Sequence, residues 1–188
     1  MTYRVAYIVG SLSEHSINRV LSKAIISVAP EELEFFEVPI GNLPLYNRDL
    51  DDNYPPEAVA LKEALAGAHA VLFVTPEYNR SLPGALKNAI DWASRPWGQN
   101  AFNHMPVATI GASPGNLGTV MAQHSLRAVL SFLNTRQMTS PEAYITFYPA
   151  HYHEDGNPTD ESTREFLSAF VAEFRDHVER VLTVLPRH

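Results

Sequence analysis

The chain has 188 residues, 45% of them hydrophobic and none of them cysteine, with a formal charge of −7. That length predicts one domain over residues 1–188, large enough for a sheet covered on both faces. The acidic balance excludes diffuse attraction to nucleic acid or anionic lipid, and the missing cysteine excludes disulfides, thiolate chemistry and cysteine-ligated metal centres.

Residues 3–9 form a short apolar run that reads as a strand and is too brief for a signal peptide. No run nears the roughly 18 apolar residues of a membrane span, so a cytoplasmic protein without membrane contact is expected. A polar loop, GSLSEHSIN, leads into a helix whose buried face is Val20, Leu21, Ala24, Ile25 and Val28, ending before Pro30. Residues 33–38 read as a second strand. Residues 39–56 are a proline-rich segment expected to be ordered by burial of Leu43, Leu45 and Tyr46, and a loop of that length is more often functional or interfacial than idle. A helix over 57–67 precedes the strand at 71–75, which Pro76 stops.

The loop PEYNRSLPG follows, then a helix from Gly84 with Leu86, Ala89, Ile90 and Ala93 on one face. An irregular piece carrying Trp97 and Phe102 leads to a strand at 105–111, the glycine-rich loop GASPGNLG and a helix over 119–134. A fifth strand is expected between Arg136 and Phe147, and residues 161–185 form a last amphipathic helix. Strands alternating with helices imply an α/β three-layer sandwich with a parallel sheet and right-handed crossovers. The flavodoxin-like five-stranded order 2-1-3-4-5 suits this length, and it brings the loops after the first, third and fourth strands to one edge.

The first of these loops suits an anion. Gly10 frees the backbone, while Ser11, Ser13, Ser16 and Asn18 supply short donors where a helix begins, with Arg19 the nearby guanidinium. The plain alternative is that Ser16 or Asn18 merely caps the helix. Neither G-x-x-x-x-G-K nor G-x-G-x-x-G is present, and the S-x-S-x-x-S spacing of hydroxyls suits a terminal monophosphate. In the second loop Pro76, Tyr78 and Asn79 offer a flat apolar surface, and the amides of residues 77–79 are placed to donate to a ring. The third loop contains G-x-S-x-G as Gly111, Ser113 and Gly115. The residue after that serine is Pro114, which lacks the N–H a serine hydrolase needs in its oxyanion hole, so these residues read as close contacts to a flat ligand.

Other candidates are weaker. His151, His153, Glu154 and Asp155 lack a further spaced metal ligand, so no metal site is expected. His124 reads as a surface or interface group. Trp92, Trp97 and Phe102 read as core or subunit contacts. Glu77 reads as an exposed loop carboxylate without a partner.

Taken together, GSLSEHSINRVL at 10–21, LPLYNRDL at 43–50, TPEYNRSLPGALKNAIDWASRP at 75–96 and GASPGNLGTVMAQHSLRAVLSFLN at 111–134 resemble the NADPH-dependent FMN reductases, the flavodoxin-like quinone, azo-dye and chromate reductases. The resemblance implies FMN, its phosphate held by Ser11, Ser16, Asn18 and Arg19. Its ring would lie on residues 76–79 with Ser81, and its pyrimidine side against residues 111–115. It implies a homodimer or homotetramer that uses the region after the third strand and the following helix. NADPH or NADH would supply hydride, and quinones, azo compounds, metal oxyanions or free flavin would accept electrons in ping-pong fashion, with no side chain acting as acid, base or nucleophile. The sequence departs from a common pattern at Ser13 and Glu14, where many members carry Arg-Lys, and at Met121, where some carry Arg. Two competing readings are a flavodoxin-type electron carrier that does not itself oxidise NAD(P)H, and a nucleotide-handling transferase with Glu77 as nucleophile.

Overall fold

Strand β1 (Tyr3–Val9) sends Tyr3 and Val5 into one hydrophobic core and Ala6 and Ile8 into another, the period-two signature of a strand buried on both faces. The computed structural model, which describes residues 1–153 and 155–186, continues this pattern in β3 (Ala70–Val74), buried at all its positions. With β2 (Leu33–Glu37), β4 (Pro106–Ser113) and β5 (Arg136–Gln137), these strands pair in parallel in the order β2-β1-β3-β4-β5, the doubly wound order expected. Helices α1 (Ile17–Ser27) and α5 (Glu161–Val184) cover one face through Leu21, Ile25, Phe170 and Phe174. Helices α2 (Pro56–Ala66), α3 (Gly84–Ala93) and α4 (Val120–Phe132) cover the other through Leu61, Ile90 and Leu126.

The fifth strand differs from expectation. It is two short pieces, β5 beside Pro106 and Val107 and β6 (Tyr144–Thr146) beside Gly111, Ala112 and Ser113. The stretch between them contains Pro141, which has no N–H to give a ladder. The fully buried Gln123 of α4 holds the break in place, donating to Ala143 O at 2.8 Å and Thr119 Oγ1 at 3.0 Å and accepting from Thr109 Oγ1 at 3.3 Å.

The long segment at 39–56 is tied to α3. Trp92 Nε1 donates to Pro44 O at 2.7 Å, and Asn88 brackets the same stretch by donating to Pro44 O and accepting from Tyr46 N. Tyr46 and Tyr54 each set an edge against Trp92 with centroids 5.0 Å apart. Leu43 and Tyr46 pack on the core as expected, but Leu45 does not: it is 84% exposed.

On α5, His177 Nε2 lies 2.8 Å from Arg136 O, stapling the helix to the sheet edge. Burial holds its pKa below the ordinary histidine value of 6.5, outweighing the carbonyl's opposite pull. A folded-state pKa below the unfolded one contributes stability that is present above the ordinary value and lost as pH falls from there through the depressed value. Melting temperature should therefore fall on acidification below about pH 6.5, and His177→Gln should shallow that slope. An identical slope in the variant would contradict this.

Candidate functional site

The register places the ends of β1, β3 and β4 side by side, with Val9 beside Val74 and Val74 beside Ile110. Because β2 and β3 lie on opposite sides of β1, the loops meet where the strand order reverses, the crevice in which open α/β sheets bind ligands. Gly10 and Gly111 permit this convergence. A Cβ on Gly10 would stand 2.9 Å from Thr75 Oγ1, and one on Gly111 would stand 2.0 Å from Thr75 O.

In the first loop Ser11 and Ser16 are almost fully buried. Ser11 Oγ accepts from Ser13 N and Ser13 Oγ accepts from His15 N, both at 3.3 Å, so each hydroxyl retains its proton for a further acceptor. Ser16 stands at the N-cap of α1 without a side-chain cap bond. Among the described residues, the amides of Ile17 and Asn18 have no protein acceptor. The capping alternative is therefore not what the structure contains.

Two donors expected there are committed elsewhere. Asn18 clamps the backbone of Ala112, donating from Nδ2 to its carbonyl and accepting from its N–H, both at 2.9 Å. Arg19 pairs with Glu37 through contacts of 2.7 and 2.9 Å. Asn18 thus joins the first loop to the third, and Arg19 faces the β2 side.

The second loop is a two-residue hairpin. Tyr78 and Ser81 exchange backbone bonds of 3.1 and 3.0 Å, while Asn79 and Arg80 take φ of 51° and 62°, the mirror-image turn that asparagine tolerates well. This consumes the Tyr78 amide, one of the donors expected to face a ring. Among the described residues, the amides of Glu77 and Asn79 have no protein acceptor. Pro76 is buried and Tyr78 half exposed, so the loop presents an aromatic side chain beside a firm floor.

Glu77 corrects its expectation most clearly. Its side chain is only 10% exposed, with Oε2 accepting from Met121 N at 2.9 Å and Ala122 N at 3.1 Å, and Oε1 lying 3.4 Å from Arg80 Nη1. A carboxylate bound to a helix end is badly placed to attack a substrate, and this removes the support for the transferase reading. No sequence signal links Glu77 to residues 44 and 45 positions away, because the contact depends on how α4 docks.

In the third loop Ser113 Oγ donates to Gly118 O at 2.6 Å and lies 3.2 Å from both Gly115 N and Gly115 O. The hydroxyl ties the loop together rather than serving as a nucleophile. Gly118, with φ of +56°, has its Cβ position 2.7 Å from the Tyr144 backbone, a requirement for glycine that depends on where β6 docks. His124 stacks on Tyr144, whose hydroxyl donates to Glu142 at 2.7 Å. His151 sits beside the Asp160 cap of α5 and contacts Thr163 Oγ1, while Glu154 lies outside the described residues. Bonds from Ser162 and Thr163 hold the Asp160 carboxyl down at about 2.

Such an arrangement defines an α/β protein with a ligand edge at the switch point of its sheet. Residues 3–150 match the family model of the NADPH-dependent FMN reductases. The chain is 45% identical over 174 residues to a 2-hydroxy-1,4-benzoquinone reductase of Burkholderia, covering 93% of this chain and 95% of that protein. It is 46% identical over 178 residues to a quinone reductase of Pseudomonas putida, covering 94% and 95%. The solved structure of FerB, a flavoenzyme NAD(P)H:acceptor oxidoreductase of Paracoccus denitrificans, superposes with a TM-score of 0.92 at 46% identity, covering 95% of this chain and 98% of that one. The chain belongs to the NADPH-dependent FMN reductase family. It is accordingly an oxidoreductase that uses FMN and NAD(P)H and passes electrons to a small-molecule acceptor.

Proposed function

We propose that this chain is a cytoplasmic quinone reductase, residues 1–188 acting as one FMN-binding unit. The observation that carries the cofactor reading is the first loop: an uncapped helix N-terminus whose free amides and buried hydroxyls converge where a phosphate would sit. Ser11, Ser13, Ser16 and the amides of Ile17 and Asn18 would hold that phosphate. Asn18 positions the loop through Ala112, and Arg19 stays with Glu37. Serine and glutamate at 13 and 14 leave the cradle without the Arg-Lys pair common in the family, so hydroxyls and the helix dipole carry the anion. Pro76, Tyr78, Asn79 and Ser81, with the amide of Glu77, would flank the ring, and the backbone of Gly111, Ser113 and Gly115 would close its other edge. FMN bound there would supply two-electron redox chemistry between NAD(P)H and an acceptor that gains two electrons and two protons, one proton carried by the hydride and one from solvent.

Quinone is favoured among acceptors by the two relatives named as quinone reductases, aligned over nearly the full chain. Azo compounds, metal oxyanions and free flavin are further acceptors for a site that selects flat shape more than polar pattern. A reaction that draws on the NAD(P)H pool fits a cytoplasmic location. Initial rates with NADPH or NADH against 1,4-benzoquinone should give parallel double-reciprocal lines, as alternating access to one flavin requires. Intersecting lines, or no quinone-dependent oxidation, would contradict the proposal.

The chain is also proposed to form a homodimer or homotetramer. Helix α4 turns Met121, Ala128 and Phe132 outward, Phe132 being 71% exposed and tilted against the 75% exposed Trp97 at 6.5 Å, beside a groove of about 450 Å³. An apolar stripe running along α4 from Met121, whose amide binds Glu77, is suited to a second copy of itself. Phe132→Glu should yield a monomer by sedimentation velocity where the natural chain gives an oligomer. An unchanged assembly would contradict this use of the face.

A further inference from the structure

Helix α4 begins after Thr119, which makes no side-chain cap bond. Two of the amides at its N-terminus are instead taken by Glu77 Oε2, which reaches across from the second loop. The second carboxylate oxygen faces Arg80 on the same hairpin. One side chain therefore binds both walls of the crevice: the hairpin, and the helix that the third loop leads into. Its negative charge is balanced by the positive end of α4 and by one guanidinium.

We propose that Glu77 is a positioning residue that fixes the separation of the second and third loops and sets the electrical balance beside the flavin ring; this rests on the FMN reading above. Removing the carboxylate has two separable consequences. Without a side-chain acceptor the hairpin is released from α4, and the ring loses a defined slot. With a neutral acceptor of the same shape the remaining oxygen still accepts from Met121 N and Ala122 N and the hairpin stays attached, but the positive end of α4 and Arg80 lose their counter-charge. Unopposed positive charge stabilises the added electrons, so the FMN midpoint potential should rise.

The test compares the natural chain with Glu77→Gln and Glu77→Ala, using three measurements: FMN dissociation constant by fluorescence quenching, FMN midpoint potential against a redox dye, and melting temperature of the FMN-free protein. Glu77→Gln should bind FMN within about threefold of the natural chain yet show a more positive potential. Glu77→Ala should bind FMN about tenfold more weakly or worse. A lower melting temperature in both variants with FMN affinity and potential unmoved would reduce Glu77 to an ordinary helix cap and overturn the proposal. Natural protein that binds no FMN would overturn the functional reading and the proposal together, whereas bound FMN with an unmoved potential in Glu77→Gln would overturn the proposal alone.

Discussion

Gly111→Ala should cost about 3 kcal/mol of stability, which for a chain of this size lowers the melting temperature by roughly 10 °C. The added methyl would stand 2.0 Å from Thr75 O and 2.3 Å from Thr119 Oγ1. Thr75 O belongs to the backbone at the end of a fully buried strand, so it cannot swing aside as a long side chain would. The variant must instead part β3 from β4 or shift the start of α4, and either movement reaches the second and third loops together. FMN affinity should fall along with the melting temperature. Gly115→Ala is the control for stability: its Cβ position meets no protein atom closer than 3.7 Å, so its melting temperature should stay near that of the natural chain. Equal melting temperatures for the two variants by calorimetry would show that the close approach at Gly111 is not a constraint.

Ser16→Asp should weaken FMN binding by at least about 100-fold while leaving the FMN-free protein as stable as before. Aspartate is as good an N-cap as serine, and its charge suits the positive helix end, so the variant keeps α1 intact. A phosphate would meet that same charge. Two like charges about 4 Å apart at an effective dielectric of 20 repel by roughly 4 kcal/mol, more than the roughly 2.8 kcal/mol of a 100-fold loss. Riboflavin, which has the ring but no phosphate, should bind the natural chain and Ser16→Asp equally. Titration of both ligands separates the cradle from the ring pocket. FMN affinity unchanged in Ser16→Asp would move the phosphate away from the first loop.

These expectations show which links from sequence to site are local. The strand order and the three convergent loops follow from hydrophobic period, turn residues and element lengths, all written within short windows of sequence. The glycine at 111 reads only as a close contact to a flat ligand; its approach to Thr75 O comes from the pairing of β3 with β4. What was not legible depends on docking. Asn18 reads as a phosphate donor in its own loop, and only the packing of α1 on β4 places it opposite Ala112. Arg19 reads as the cradle's cation until Glu37, on a strand paired beside β1, takes it up. Glu77 reads as an exposed carboxylate because its partners lie 44 and 45 residues away. The break in the fifth strand had a local sign in Pro141, but its anchoring by Gln123 rests on a helix-to-strand contact that no spacing reveals.

This fold is proposed to hold FMN and to load it from NAD(P)H without help from another protein. The most direct measurement is a visible absorption spectrum of the purified chain after incubation with FMN and desalting, followed anaerobically by NADPH and then NADH. Flavin bands should survive desalting and bleach within seconds of adding one of the nucleotides. Bands that survive but do not bleach would describe a carrier rather than a reductase, and a colourless protein would contradict the cofactor site itself.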